Sequence, residues 1–495
     1  MSALTDSTFL GLDLGTSELK ALLIDAEQRT IASAGAKLSV QRPHPLWSEQ
    51  SPHAWWAALE TVMDQLSHQC PQALQRLAGI GLSGQMHGAV LLNGDHQVLR
   101  PAILWNDGRS AEECKTLQTT VSDLGAITGN LAMPGFTAPK LLWVRNHEPH
   151  CFEQTRLLLL PKDWLRLMLS GEAVSEMSDA AGTLWLDTGR RAWSPTMLHA
   201  CGLNETHMPR LVEGSEISGY LLPEWSERWG LPKGVPIAGG AGDNAASAIG
   251  MGLIKPGTGF VSLGTSGVVF VCGDAFAPNP AQAVHAFCHA LPGGWHQMSV
   301  MLSAASAVTW ATRVMGFEHE SDLMSAASSV DGSGQAEAPL FLPYLSGERS
   351  PLNNPWATGS WQGLTSQHER SHMAYAVAEG VGFGLLEGMQ TLHNSTSLKA
   401  LSLVGGGARS DWWAQLLADI FNVSLNIHAG AETGAALGAA RLGYLAAGGH
   451  VDAVCSVPEV AKTYAPRTQH QATLRKRYAR FKELRSLVSP SYTPR

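Results

Sequence analysis

The chain reads as an α/β protein laid out in two halves, and three observations carry that expectation. The tetrapeptide Leu14-Gly15-Thr16-Ser17 returns as Leu263-Gly264-Thr265-Ser266, an offset of 249 residues in a chain of 495. Each copy ends a short apolar run and precedes another β-prone run, at 19–24 and 268–271, so each reads as strand, glycine turn, strand. With 51 glycines, 44% hydrophobic and 15% charged residues, the composition suits a glycine-rich α/β enzyme and not a disordered or fibrous chain. The length fits two domains of about 250 residues each, divided here as 1–250 and 251–495.

Glycine lets a backbone turn sharply and approach a ligand closely, while Thr and Ser hydroxyls and successive N–H groups surround an anion. Two such turns facing each other would hold a polyphosphate from both sides, which makes Thr16, Gly264 and Thr265 candidate phosphate contacts. The copies differ at Asp13 against Ser262. A carboxylate beside a phosphate turn repels the phosphate unless a cation lies between them, so Asp13 is the candidate for Mg²⁺, held through water. One Gly-Thr-Ser alone would be ordinary turn chemistry; its repetition at half-length, with the acid in one copy only, favours the functional reading.

The remaining elements follow in order. Residues 19–25 and 31–40 complete a small antiparallel meander, and 41–50 is a proline-broken loop. Ser51-Pro52 opens a helix in which Trp55, Leu59, Val62 and Leu66 recur at helical spacing, with Trp55 and Trp56 as core residues. A strand at 77–82 ends in Ser83-Gly84-Gln85-Met86-His87-Gly88, followed by a strand at 89–92. Polar residues between glycines at a strand end are where open α/β sheets place ligand contacts. His87 can donate to or accept from a hydroxyl and Met86 can pack on a polyol skeleton, although His87 taken alone is more often a turn residue. Residues 103–109, Ile-Leu-Trp-Asn-Asp-Gly-Arg, join an aromatic face to an amide, an acid and a base. That mixture suits carbohydrate, making Trp105 and Asp107 candidates; an Asp107–Arg109 structural pair stands beside that reading. Residues 136–143 and 157–164 are further junctions leading into helices.

A strand at 235–238, the turn Gly239-Gly240-Ala241-Gly242 and an alanine-rich helix from Asp243 close the first half. Asp243 is either an N-cap, worth about 1 kcal/mol, or a carboxylate facing open space that takes a proton from an attacking hydroxyl. The local sequence leaves these even. In the second half, 298–309 and 341–349 read as strand-to-loop segments and 372–388 as a helix. A strand at 401–404 runs into Gly405-Gly406-Gly407-Ala408-Arg409-Ser410, then a helix at 411–421. A flat glycine surface accommodates a planar base and sugar. Residues 433–440 read as a tightly packed helix.

A net charge of -8 and a pI near 6.2 argue against nucleic-acid binding or a polybasic membrane anchor. No basic leader precedes an apolar segment and no 18 apolar residues run together, so the expectation is a cytoplasmic protein without membrane partners. Seven scattered cysteines with no Cys-x-x-Cys read as reduced thiols. His285, Cys288, His289 and His296 fit no zinc spacing and are expected as half-buried strand residues. Near the end, Leu474, Tyr478, Phe481, Leu484 and Leu487 share a helical face while Arg475, Lys476, Arg477, Arg480, Lys482 and Arg485 line the rest. In an acidic chain this helix is expected to pack back onto the second half and not onto a membrane.

In this order the stretches resemble the sugar-kinase branch of the actin-like ATPase superfamily, the FGGY carbohydrate kinases, over almost the whole chain. Residues 135–146 are similar to one family signature and 359–379 to the other, with Ala378 where a bulkier apolar residue is usual. Within the family, 83–88, 104–107 and 242–244 resemble the xylulose-kinase branch; glycerol kinases carry an Arg-Glu pair in place of Met86-His87. The resemblance implies two ribonuclease-H-like (actin-like ATPase) domains with a cleft between them. It implies ATP-dependent phosphorylation of D-xylulose at its terminal hydroxyl. Carried over, Asp243 would be the base, and Met86, His87 and Asn244 would contact the sugar. Asp13 would be the Mg²⁺-linked residue, Gly264 and Thr265 phosphate contacts, and Gly405, Gly406 and Gly407 with Ser410 the nucleotide surface. Two rivals stand against it: a sister kinase for ribulose, gluconate or another polyol, and a non-enzymatic ATP switch of the actin type. The second leaves Met86, His87 and Asn244 unexplained. Sugar stereochemistry and oligomeric state, a homodimer among the options, are not legible.

Overall fold

The computed structural model describes residues 4–393, 398–429 and 434–488. The repeat in sequence is a repeat in topology. In the first sheet Thr8–Leu14 pairs antiparallel with Glu18–Asp25, which pairs antiparallel with Thr30–Lys37. On its other side Thr8–Leu14 runs parallel to Leu77–Gly84, then come Pro236–Ala238 and the antiparallel Ile217–Tyr220. In the second sheet Gly259–Leu263 takes the central place, with Gly267–Gly273 and Trp295–Met301 antiparallel on one side. Ala400–Val404 and Ser424–His428 run parallel on the other, closed by the antiparallel Val460–Tyr464. The expected pair of α/β halves is therefore present. Thr8–Leu14 is covered on both faces, which is why it reads as a continuous apolar run; the edge strand Thr30–Lys37 alternates toward solvent.

The two halves interlock through one helix. Gly434–Ala446, from the second half, lies on the first sheet and against the Asp243–Gly250 helix. The approach is backbone to backbone. A Cβ on Gly11, Gly79 or Gly81 would fall inside the carbonyl oxygens of Ala436, Gly443 and Ala439, and one on Gly438 inside that of Ala246. Glycine is required there by space. Arg441 locks the seam by donating to the Ile249 carbonyl at 2.8 Å, the Gly250 carbonyl at 3.0 Å and Gln28 Oε1 at 2.7 Å. Thr433, with which the sequence reading opens this helix, lies outside the described residues.

Most of the predicted elements are found. The helix Pro52–Gln69 buries Trp55, Leu59, Val62 and Leu66, though Ser51 makes no side-chain cap. The 298–309 segment is corrected: its strand ends at Met301 and a helix, Ala305–Val314, begins where a loop was expected. The small residues that suggested a loop serve close packing, with Ala307 and Ala311 fully buried. The final helix, Gln471–Val488, packs on the second half through Leu474, Tyr478 and Phe481, whereas Leu487 is 74% exposed. Arg477 belongs to the buried face and not the solvated one. Its Nε and Nη2 meet Glu379 at 2.7 and 2.6 Å, and it also donates to the Ala338 and Pro339 carbonyls. No helix among the described residues is long and apolar enough to cross a membrane.

Candidate active site

Two cavities meet at the second glycine turn. One, of about 250 Å³, is lined by Met86, His87, Asp243 and Asn244 from the first half and by Ser266, His285 and Arg349 from the second. The other, of about 700 Å³, is lined by Gly264, Thr265, Gly406, Gly407 and Ser410 among others. The turn thus has Gly264 and Thr265 on one cavity and Ser266 on the other. It is braced from behind by the start of the Ala305–Val314 helix. The Thr265 carbonyl accepts from Ala304 and Ser306 N–H at 3.1 and 3.2 Å, and the Gly264 carbonyl accepts from Ala305 N–H at 3.0 Å.

Asp243 sits at the first position of its helix, Gly242 being the N-cap, so the capping role is not the one it plays. Its Oδ1 accepts from the Asn244 N–H at 2.8 Å and Asn244 Nδ2 at 3.0 Å, while Oδ2 has no hydrogen-bond partner among the described residues. Burial, reinforced by the nearby charge of Asp13, raises its pKa to about 6. Asp13 lies at the end of Thr8–Leu14, in register with Ser83. Burial pushes it up as well, offset in part by the Ser83 hydroxyl and the Lys20 ammonium. Its Oδ1 is buried without a partner among the described residues. An orphaned carboxylate oxygen near the charge of a second carboxylate either takes up a proton or is matched by a cation, and two carboxylates of this kind fit a hard divalent ion that keeps most of its water.

The turn before Asp243 is held by charges inside the first half. The side chains of Lys162, Asp163, Arg166, Glu176 and Asp179 are all fully buried, with Lys162 Nζ at 2.7, 3.3 and 3.0 Å from Asp163, Glu176 and Asp179. Arg166 donates to the Gly239 carbonyl, and Ser178 Oγ, seated beside Glu176, accepts the Gly242 N–H at 3.1 Å. Burial pushes Asp179 up to about 8; Lys162 opposes that, and Asp163 and Glu176 add to it. The signal for this cluster is Lys162-Asp163 with Arg166 inside an otherwise apolar 157–169 run, a pattern the sequence reading passed over.

His87 has φ +70, a conformation costly for a residue with a side chain. It is held because its carbonyl accepts from Lys140 Nζ at 2.8 Å and Thr137 Oγ1 at 3.2 Å, both on the Thr137–His147 helix. Its Nδ1 lies 2.6 Å from the Gly182 carbonyl, which can only accept, so Nδ1 carries the proton and Nε2 is an acceptor. Burial first, then Lys140, hold the ring neutral, with a pKa down at about 3. Met86 packs against Gly242 and Gly182, where a Cβ would collide with it. Trp105, 45% exposed, lines the same cavity and donates to Thr16 Oγ1 at 3.0 Å.

Three candidates are placed differently from expectation. Asp107 is turned away from the cavity and buried, its Oδ2 taken by the Ser48 N–H at 2.6 Å and Arg109 Nη2 at 2.7 Å. Arg109 in turn stacks on Trp47, so the structural pair is what the chain builds. The Thr16 hydroxyl is engaged between Trp105 and Gln85 Oε1, at 3.0 Å from each. Gly405, at φ +93 against the Leu263 backbone, turns the chain, leaving Gly406 and Gly407 to face the larger cavity; Ser410 lines it too while capping the Asp411–Phe421 helix. The second half also contributes more to the smaller cavity than expected. His285, Cys288, His289 and His296 are buried, not half-buried, and His285 lines it beside Phe287. Neither His285 nor Arg349 carries a local motif that marks it, because each reaches the cavity only through the meeting of the halves. All seven cysteines are free thiols.

Both halves match models of the FGGY family of carbohydrate kinases, the N-terminal domain over residues 8–250 and the C-terminal domain over 259–447. The chain is 49% identical to the xylulose kinase of Escherichia coli K12 over 97% of its own length and 99% of that protein. It is 49% identical to the xylulose kinase of Klebsiella pneumoniae, over 97% and 100% respectively. Among solved structures it superposes on a "xyloylose kinase from Brucella ovis" with a TM-score of 0.94 at 47% identity, covering 97% and 99% of the two chains. A gluconate kinase from Lactobacillus acidophilus gives 0.92 at 25% identity, covering 98% and 99%. With two sheets of the same order and family matches over both halves, the chain belongs to the FGGY carbohydrate kinases.

Proposed function

We propose that the protein transfers the γ-phosphoryl group of ATP to the terminal hydroxyl of D-xylulose, with Asp243 as general base. One observation carries the reading: the 264–266 turn borders both cavities, so a triphosphate in the larger one ends where an alcohol in the smaller one begins. The names of the 49%-identical relatives support the choice of sugar.

The alcohol oxygen attacks the γ-phosphorus in line as the bond from that phosphorus to the β-bridging oxygen breaks. ADP leaves, and the hydroxyl proton passes to Asp243 Oδ2, the oxygen not engaged by Asn244. His87 Nε2 accepts from a sugar hydroxyl, and Met86, Phe136 and Trp105 give its C–H faces an apolar wall. Gly264 and Thr265 hold phosphate oxygens, and Gly406 and Gly407 the base and ribose. A Mg²⁺ held near Asp13 would neutralise phosphate charge when bound.

A coupled ADP-release assay across ketoses, aldonates and alditols tests the reading. D-xylulose is expected to give the highest kcat/KM, with one phosphate gained per ADP; preference for gluconate or ribulose, or ADP without a phosphorylated sugar, overturns it. Asp243→Asn is expected to lower kcat by roughly 10²–10⁴-fold while sugar affinity, read by calorimetry, stays within a few fold. Near-normal turnover in that variant would remove Asp243 from the mechanism.

A further inference from the structure

The smaller cavity is rich in acceptors and short of donors. Asp243 Oδ2 is one acceptor and His87 Nε2 another. His285 is a third: its Nδ1 lies 2.9 Å from Asn130 Oδ1, and the Asn130 amide nitrogen donates to the Thr128 and Ala286 carbonyls at 2.9 and 3.2 Å. Nδ1 of His285 therefore carries the proton and Nε2 accepts. Of the donors nearby, Trp105 Nε1 is spent on Thr16 and one Asn244 amide proton on Asp243, which leaves the second Asn244 proton and the Ser266 hydroxyl as neutral donors. Arg349 is the one cationic side chain among the described residues that line the cavity. Its guanidinium lines the cavity and forms no ion pair or hydrogen bond with another described residue. The adjacent Glu348 commits its Oε1 to the Leu302 and Arg349 backbone N–H groups at 2.9 and 2.7 Å. The Glu348 carboxylate attracts the guanidinium through space without touching it, so the cation keeps a hydrogen-bonding capacity that a ligand can use.

The chemistry of the proposed substrate identifies what completes it. A five-carbon 2-ketose can close a stable ring only by adding O5 to its C2 carbonyl. O5 is also the oxygen that receives the phosphoryl group, so the reacting sugar is open-chain and its carbonyl is free. That carbonyl oxygen only accepts hydrogen bonds, unlike every hydroxyl on the same skeleton, and so cannot be held by Asp243, His87 or His285.

We propose that Arg349 donates to the C2 carbonyl oxygen of the open-chain keto-sugar and is the residue by which the cavity selects 2-ketoses over the corresponding alditols. This rests on the keto-sugar kinase reading and adds to it a specificity residue supplied by the second half. A pentitol puts a hydroxyl, itself a donor, at the same position and gains less from a guanidinium than a carbonyl does.

The test compares the enzyme with Arg349→Met, which keeps the apolar stem, and Arg349→Lys, which keeps the charge. kcat/KM is measured for D-xylulose and the competitive Ki for xylitol. Arg349→Met is expected to lower kcat/KM for the ketose by about 10- to 100-fold, the loss of one charge-assisted hydrogen bond, and to move the xylitol Ki by less than about 3-fold, with partial recovery of the ketose in Arg349→Lys. Equal loss for both sugars, or no loss for either, overturns the assignment and leaves the kinase reading intact. If the unaltered enzyme phosphorylates no 2-ketose, both fall together.

Discussion

As the proposed base Asp243 would work only while ionised, and its surroundings raise its pKa to about 6. As pH falls through that value the carboxyl is protonated, so kcat/KM is expected to drop about tenfold per unit on the acid side and to level off above it. A cation bound beside Asp13 would favour the ionised form, so added Mg²⁺ should move the limb to lower pH. A profile from about pH 4.5 to 8 at two Mg²⁺ concentrations checks both; a rate that rises as pH falls through the same range would exclude a carboxylate base there. Other residues show what local reading can and cannot do. Gly-Asp-Asn at 242–244 announces itself by glycines before an acid, whereas Asp107 sits in an equally suggestive cluster yet is consumed by Arg109 and Ser48. Residue type gives the chemistry available. Whether an oxygen faces a cavity depends on partners distant in the chain.

At the scale of elements, the strand-turn-strand units and the helices flanking the glycines were legible because their apolar runs and turns are local. The helix at Ala305–Val314 was not, since the alanines and serines that begin it resemble a loop until the turn they brace is in place. The seating of Gly434–Ala446 on the first sheet was likewise hidden, although it explains the glycines of two strands. Gly81→Ala is expected to destabilise by about 1–3 kcal/mol or more, because the new methyl meets a helix carbonyl that has no room to retreat. Gly94→Ala is the control, since a Cβ there meets nothing within 4 Å. Thermal midpoints of the two variants measure the difference. Equal midpoints would mean that the helix and sheet are not in the close contact described.

For the molecule as a whole, duplication supplied the scaffold and divergence the function. Equivalent strands place Asp13 and Ser262 at matching positions, so the acid stands in one copy only. The tetrapeptide repeat made the two halves visible in the sequence, but their mutual dependence was not, because contacts across the seam have no period. A fragment ending near residue 250 is expected to be insoluble or to bind hydrophobic dyes strongly, and supplying residues 434–446 on a linker to reduce that binding; a fragment that is soluble and cooperative by itself would contradict it. The same arrangement bears on synthesis. Between Gly250 and Gly434 lie 183 residues of chain, so a growing polypeptide presents its first sheet with a bare glycine floor through much of translation. Final closure of the early half therefore waits until residue 446 has left the ribosome, and a truncation before residue 434 would harm the first half as much as the second.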